Sequence, residues 1–300
     1  MADEPEEEET GAEEEPQGAD EATVVSDESD DTRKKTQVLR TVEVDPIPER
    51  GPAAYVAEFI GTFLLTFFIC AAVSVEVHKN VTNADGSVTI PFVDWSTISF
   101  VHLLALFALI QTLAVVSGAH FNPAVTVSLT AIRQIRPADA GIYIICQLAG
   151  GVLAALVVKL MFKDEGAASN YGAPGLGGNF LAHGQVSVGF AAEMIGAFIL
   201  VWTIVGVAVN PRGLAAWSGL AIGGALGLAE FVFGRVSGGA FNPARAFGPA
   251  LVGKAFDKAG DWILAFAVAP IVGGLLAAVI YHYMFILPGK KGTQGIGPVG

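Results

Sequence analysis

Charge is what this chain has least of outside its first residues. Only 15% of its 300 residues are Asp, Glu, Lys or Arg, against about a quarter in ordinary soluble domains. Cysteine is nearly absent too. Cys70 and Cys146 are the only two, both in apolar runs, which excludes a disulfide framework or a cysteine metal site. Basic residues are missing from residues 1–31, which hold fifteen Asp or Glu. That stretch also lacks an apolar core segment, so it does not read as a signal peptide. No nucleophile–base set and no phosphate-binding loop is visible. The sequence therefore predicts neither enzymatic activity nor a cofactor, a metal or a nucleic-acid partner.

The chain is rich in apolar residues (52%) and glycine (36 residues). The net charge of −12 belongs to the tail, because without those fifteen acids the remainder carries +3. Residues 1–50 read as a disordered, solvated acidic segment. Its basic cluster Arg33, Lys34 and Lys35 is a weak candidate for a partner or lipid-headgroup contact. Asn80-Val81-Thr82 is a glycosylation sequon.

Six apolar runs are long enough to cross a hydrocarbon core of about 30 Å. They lie near 53–76, 97–117, 138–162, 186–209, 213–236 and 262–287. Trp95, Trp217 and Trp262 sit at span ends, where interfacial aromatics are expected. Six spans place both termini on one side. Lys and Arg on the terminal side outnumber those opposite by ten to five, which predicts cytoplasmic termini.

The chain repeats itself. Ala57-Glu58-Phe59-Ile60-Gly61 in the first run matches Ala192-Glu193-Met194-Ile195-Gly196 in the fourth. Gly150-Gly151 in the third matches Gly273-Gly274 in the sixth. Repeat one covers 51–162 and repeat two 186–287, with a short tail at 288–300. Three spans per repeat is an odd number, so the second copy is inverted in the membrane.

Phe-Asn-Pro-Ala occurs once per repeat, at Asn122-Pro123-Ala124 and Asn242-Pro243-Ala244. Each copy precedes a short apolar stretch, 122–132 and 242–253, of about 15–18 Å as helix. Neither stretch spans alone, but two meeting tip to tip would. Asn is a favoured N-cap and Pro a favoured first helical residue. Two helix N-termini at the midplane repel cations and orient water. The amide N–H₂ of each Asn is a candidate lumen donor. The small, turn-prone leads Ser117–His120 and Ser237–Ala240 can offer carbonyl acceptors where water reaches them.

These residues resemble the aquaporin, or major intrinsic protein, family across about 51–287. The resemblance rests on Ala57-Glu58-Phe59-Ile60-Gly61-Thr62, on Ser117-Gly118-Ala119-His120-Phe121-Asn122-Pro123-Ala124-Val125-Thr126, and on Phe241-Asn242-Pro243-Ala244-Arg245. It implies an all-α membrane protein with six transmembrane helices and two re-entrant half-helices in two inverted repeats. It also implies one pore per protomer, a homotetramer, and water or small neutral solutes as cargo in a lipid bilayer, with the cell membrane as the expected location.

Glu58 and Glu193 are intramembrane carboxylates, read as acceptors for the irregular backbone before each half-helix rather than as solute contacts. Arg245, opposed by Val125 in the other repeat, is a fixed cation barrier and donor; the resemblance makes it the constriction arginine, the alternative being an Arg that snorkels away from the lumen. The remaining constriction positions carry over to His102, Glu230 and Gly239. His102 is a polar pore wall or a histidine satisfied by neighbouring helices. Gly239 adds no side chain, which suggests a wider constriction. Glu230 departs from the family pattern. Either it faces Arg245 and cancels its charge, or it pairs with Arg235 or His102. Ala246 stands where glycerol-conducting members have Asp, which favours water over glycerol or ammonia. A secondary transporter, the reading from another class, would need midplane coupling carboxylates. The stripe Gly219, Gly223, Gly227 reads as close helix packing.

Overall fold

A computed structural model describes residues 47–76, 81–82, 85, 88–89, 93–178, 180–256 and 258–288. The acidic segment 1–46, the sequon residue Asn80 and the basic residues Lys290 and Lys291 lie outside the described residues.

The helices are α1 (Pro52–Glu76), α2 (Trp95–Ser117), α3 (Pro123–Ala131), α4 (Pro137–Met161), α5 (Lys163–Ala168), α6 (Val186–Ile204), α7 (Ser218–Ser237), α8 (Pro243–Gly253), α9 (Ala259–Ile263) and α10 (Ala269–Tyr281). Two-residue strands Val81–Thr82 and Val88–Thr89 pair antiparallel between α1 and α2. Six segments have the length and apolarity to span a membrane: α1, α2, α4, Val186–Val209, Ala215–Ser237 and Ala259–Ile286. The last is assembled from α9, a π-helical turn, α10 and a second π-helical turn.

These bounds fall within three residues of those read from hydropathy. Where they differ, local chemistry sets them. The second span starts at Trp95 because the Asp94 carboxylate accepts hydrogen bonds from Ser96 N (2.9 Å), Thr97 N (3.3 Å) and Thr97 Oγ1 (2.7 Å). That is an N-cap. The bonds from Thr97 hold its carboxyl below the usual aspartate range.

α1 packs on α2 and α4, α6 on α7 and α10, and α2 meets α7 across the two repeats. The half-helices are exchanged between repeats: α3 lies against α10 and α8 against α4. The glycine stripe sits in the α2–α7 contact, where a side chain at Gly223 would strike the Leu103 carbonyl and one at Gly227 the Ser99 carbonyl. Backbones this close need a residue without a Cβ.

The outer surface is apolar. Phe100, Val115, Ile145, Leu160, Leu228 and Phe231 are all exposed, as a lipid-facing belt requires and a water-facing surface does not tolerate. One expectation is corrected. Trp217 is exposed at a span end, but Trp262 is buried among Phe247, Phe256 and Phe266. Its role is packing around α8, not anchoring at the interface.

Candidate functional site

The leads into the half-helices carry backbone that most residues avoid. α2 ends on left-handed Gly118 (φ 89°) and α7 on Gly238 (φ 88°). Ala119 (φ 53°) matches Gly239 (φ 52°), and Phe121 matches Phe241 at φ 49°. Such strained turns inside a membrane must be held from outside, and the two glutamates hold them.

Glu58 Oε1 accepts from Ser117 Oγ (2.7 Å) and His120 N (2.9 Å), and Oε2 from Phe121 N (2.7 Å) and Gln147 Nε2 (2.7 Å). Glu193 Oε1 accepts from Ser237 Oγ (2.7 Å) and Ala240 N (2.9 Å), and Oε2 from Phe241 N (2.6 Å). The sets are equivalent bond for bond except for Gln147, whose counterpart in the second repeat is Pro270. Both carboxylates are fully buried, so their acceptor capacity is spent on these backbone and side-chain donors within the bundle. A methyl group at Gly61 would overlap the Phe121 ring, and one at Gly196 the Phe241 ring. Each phenylalanine thus seats its turn against a missing side chain on the helix bearing the glutamate.

Asn122 caps α3 and Asn242 caps α8. Asn122 Oδ1 accepts from Ala124 N (2.8 Å); Asn242 Oδ1 accepts from Ala244 N (3.0 Å) and Arg245 N (3.3 Å). Pro123 and Pro243 occupy the first helical positions, where the missing N–H costs nothing. The amides then cross. Asn122 Nδ2 donates to the Phe241 carbonyl (2.9 Å) and Asn242 Nδ2 to the Phe121 carbonyl (2.8 Å). Each amide nitrogen keeps one more N–H. Ala124 and Ala244 are fully buried, and their backbones pack beside Gly274 and Gly151 of the spans opposite.

A narrow cavity of ≈ 70 Å³ runs past these tips. Asn122, Asn242, His102, His120, Arg245 and Ser218 supply its polar side chains; the walls are otherwise aliphatic, including Leu65, Ile69, Val125 and Leu200. Such a lumen offers a few oriented donors on an apolar wall, enough to steer a small polar molecule without holding it.

Arg245 is 1% exposed and its Nη1 donates to the Gly172 carbonyl (2.8 Å) in the loop after α5. It lines the cavity rather than snorkelling to the surface. His102 Nδ1 lies 2.8 Å from the Ile98 carbonyl one turn back. The Glu230 carboxylate is not paired with Arg245 or Arg235: among the described residues the one basic side chain within 4.0 Å is His102, whose Nε2 lies 3.7 Å away. The proposed cancelling contact with Arg245 is therefore absent, because the carboxylate turns towards Gly239. A Cβ at Gly239 would coincide with Glu230 Oε2. The room expected from Gly239 is filled by another residue's side chain, and neither Gly239 nor Glu230 is among the residues that line the cavity.

Gln147 and Thr126 went unread as site residues. Gln147 Nε2 also bonds Thr126 Oγ1 (3.0 Å), which in turn lies 3.1 Å from His120 Nδ1. The available signal was an amide inside the third span where the equivalent residue is proline. Gly172 gave none, since a carbonyl acceptor has no side-chain signature. Among the described residues no His, Cys, Asp and Glu come together as a metal site. Beyond the cavity, the terminal side of the bundle carries an ion cluster. Arg136 binds Glu49 and lies 3.4 Å from Asp139, whose carboxylate accepts from Tyr55 (2.7 Å). The Glu49 bond raises the Arg136 pKa further above its usual high value.

Comparison with known proteins agrees with this geometry. A family model, major intrinsic protein, matches residues 51–281. A probable aquaporin of NIP type from Nicotiana alata is 35% identical over 229 residues, 76% of each chain. Nodulin-26 from Glycine max is 35% identical over 227 residues, again 76% of each. Aquaporin AqpM from Methanothermobacter marburgensis is 34% identical over 240 residues, 76% of this chain and 96% of that protein. In fold, the X-ray structure of the aquaglyceroporin from Plasmodium falciparum superposes with a TM-score of 0.65 at 22% identity, covering 80% of this chain and 99% of that one. With six spans, two exchanged half-helices and a match over nearly all of the described body, this chain belongs to the major intrinsic protein family of membrane channels.

Proposed function

We propose that the protein is a passive water channel that conducts in single file and excludes protons and ions. The observation that carries this reading is the crossed asparagine pair. Each Oδ1 is spent on its own half-helix, each Nδ2 gives one hydrogen to the opposite repeat, and both asparagines line one cavity. The remaining N–H groups and two helix N-termini favour an oxygen lone pair at the midplane and disfavour a cation. A water held there by its oxygen points its hydrogens away in both directions, which interrupts a proton-conducting chain. Arg245 adds a fixed positive charge to the same lumen.

A second reading, conduction of small neutral solutes such as glycerol or ammonia, draws on the aliphatic cavity wall. The aquaglyceroporin from Plasmodium falciparum shares this fold. The protein acts in this reading as a homotetramer in the cell membrane with cytoplasmic termini. Stopped-flow light scattering of proteoliposomes tests it. Osmotic shrinkage should be fast, non-saturating and weakly temperature-dependent. Flux that saturates, or that requires a proton or sodium gradient, would reject the channel reading in favour of a transporter.

A further inference from the structure

Arg50 is a cation left over at the side of the bundle where α1 begins and α2 ends. It stands just before the stretch that matches the family, 51–281. The carboxylates around it are taken. Glu49 binds Arg136, and Asp139 lies 3.4 Å from Arg136 Nε and accepts from the Arg50 backbone N–H (3.4 Å). That bond ties down the main chain of Arg50 and leaves its side chain free. Among the described residues no carboxylate oxygen lies within 4.0 Å of the guanidinium, and no hydrogen bond uses it.

The guanidinium faces the mouth of the cavity. The place a Cβ would take at Gly118 is 3.8 Å from Arg50 Nη2 and 3.5 Å from His120 Nε2, and apart from the His120 ring nothing is nearer. Gly118 and His120 both line the cavity, and Arg50 stands at its rim. The equivalent turn of the second repeat has no such space, since a Cβ at Gly238 would strike Pro174 Cα at 2.8 Å. His120 brings a second donor to the opening. Gln147 Nε2 donates to Thr126 Oγ1 (3.0 Å), so that fully buried hydroxyl turns its own hydrogen to His120 Nδ1 (3.1 Å). A neutral ring that accepts at Nδ1 carries its hydrogen at Nε2. His120 is 6% exposed, and no described residue accepts from that N–H. Two donors, one of them charged, thus border an open space and share no acceptor.

We propose that Arg50 and His120 form a carboxylate-binding site at this mouth, and that a carboxylate seated over Gly118 obstructs the pore. A carboxylate offers two acceptor oxygens and the counter-charge that Arg50 lacks. The cavity beside it is narrow, ≈ 70 Å³, so a group at its rim leaves little room for water to pass. The group has two sources. Residues 1–31 of this chain carry fifteen Asp or Glu and no Lys or Arg, and the tether to Arg50 holds them at high effective concentration. A free organic acid presents the same chemistry. The obstruction, though not the binding, rests on the channel reading.

Succinate, a dianion that bilayers exclude, is the probe, with sodium chloride of matched ionic and osmotic strength as the control. It is applied to wild type and to a full-length chain whose fifteen acids in 1–31 are changed to Gln or Asn, with Arg50→Gln and Arg50→Lys made in the latter. Water flux is read in proteoliposomes with succinate on both sides, and thermal unfolding in detergent. The acid-neutralised chain should lose flux along a saturating curve as succinate rises, and its unfolding midpoint should climb. Arg50→Gln should raise the half-inhibiting concentration about tenfold or more, the scale of a lost hydrogen bond to a charged group. Arg50→Lys, which keeps the charge without the planar fork, should fall between and carries the comparison if the Gln variant does not assemble. Where the acidic segment is the occupant, wild type starts slow and ignores succinate. Where a free acid is, wild type starts fast and is inhibited directly. Succinate that moves neither flux nor midpoint of the acid-neutralised chain, or that acts equally on its Arg50 variants or no better than chloride, overturns the site. A midpoint shift that depends on Arg50, with no water flux in any chain, keeps the site and rejects the channel reading.

Discussion

Glu58 and Glu193 show what one buried carboxylate can do. Each gathers a hydroxyl and two backbone N–H groups that a left-handed turn leaves without partners. A neutral amide in the same place turns one acceptor oxygen into a donor aimed at donors. Glu58→Gln and Glu193→Gln should each lower stability by about 2–3 kcal/mol, the range for losing hydrogen bonds to a buried charged group. Denaturant unfolding of the detergent-solubilised protein checks this, and a change under about 0.5 kcal/mol would mean the turns hold without the carboxylates. The structural role of these residues was legible in the sequence, because they repeat and sit in apolar runs. The orientation of Glu230 was not. Its spacing from Asn242 led to an expected place at the constriction, yet it is not among the residues that line the cavity, and whether its carboxylate turns to Arg245 or to Gly239 depends on rotamer and on the room left by a residue nine positions away.

At the scale of elements, helix ends decide where the spans begin and the half-helices start. Asn122 and Asn242 cap α3 and α8 from within the bundle, whereas Asp94 caps α2 at its edge. Its carboxyl is held below the ordinary value by Thr97. The folded state therefore binds the Asp94 proton less tightly than the unfolded chain does. The stability this contributes is fully present above the unfolded value of about 3.9 and is lost as pH falls through the lower folded value. Asp94→Ala should lower the thermal unfolding midpoint at neutral pH. The gap to wild type should close as the pH is taken below the aspartate range. A gap that is the same at both pH values would show that packing, not the ionised cap, accounts for it. The half-helices were readable from Asn-Pro-Ala and their short length. Their exchange, α3 against α10 and α8 against α4, was not, since no local pattern says which neighbour a helix will choose.

For the whole molecule, the two repeats are near-equivalent in fold and unequal in charge. The glutamate sets, the phenylalanine turns and the asparagine caps correspond. At the residue after each tripeptide one half places Val125 and the other Arg245. A unit charge at about 4 Å and an effective dielectric near 20 is worth about 4 kcal/mol, enough to dominate the selectivity of a narrow lumen. Arg245→Val, which makes the halves alike, should raise cation leak across proteoliposomes by at least about tenfold, corresponding to only about a third of that energy. Unchanged leak would place the ion barrier at the asparagine tips alone.

The sequence by itself determined the spans, the inverted repeat and the half-helices. Those follow from local rules: apolar length against membrane thickness, and the capping preferences of Asn and Pro. Only the tertiary structure decided which donors meet which acceptors across the repeats. It joined each asparagine to the other repeat's phenylalanine carbonyl, gave Arg245 the Gly172 carbonyl, and set the Glu230 carboxylate into the space over Gly239. Such pairings join residues up to 121 positions apart. They depend on how helices pack and on which side chains are missing at the contact, and neither is written in the residues next door.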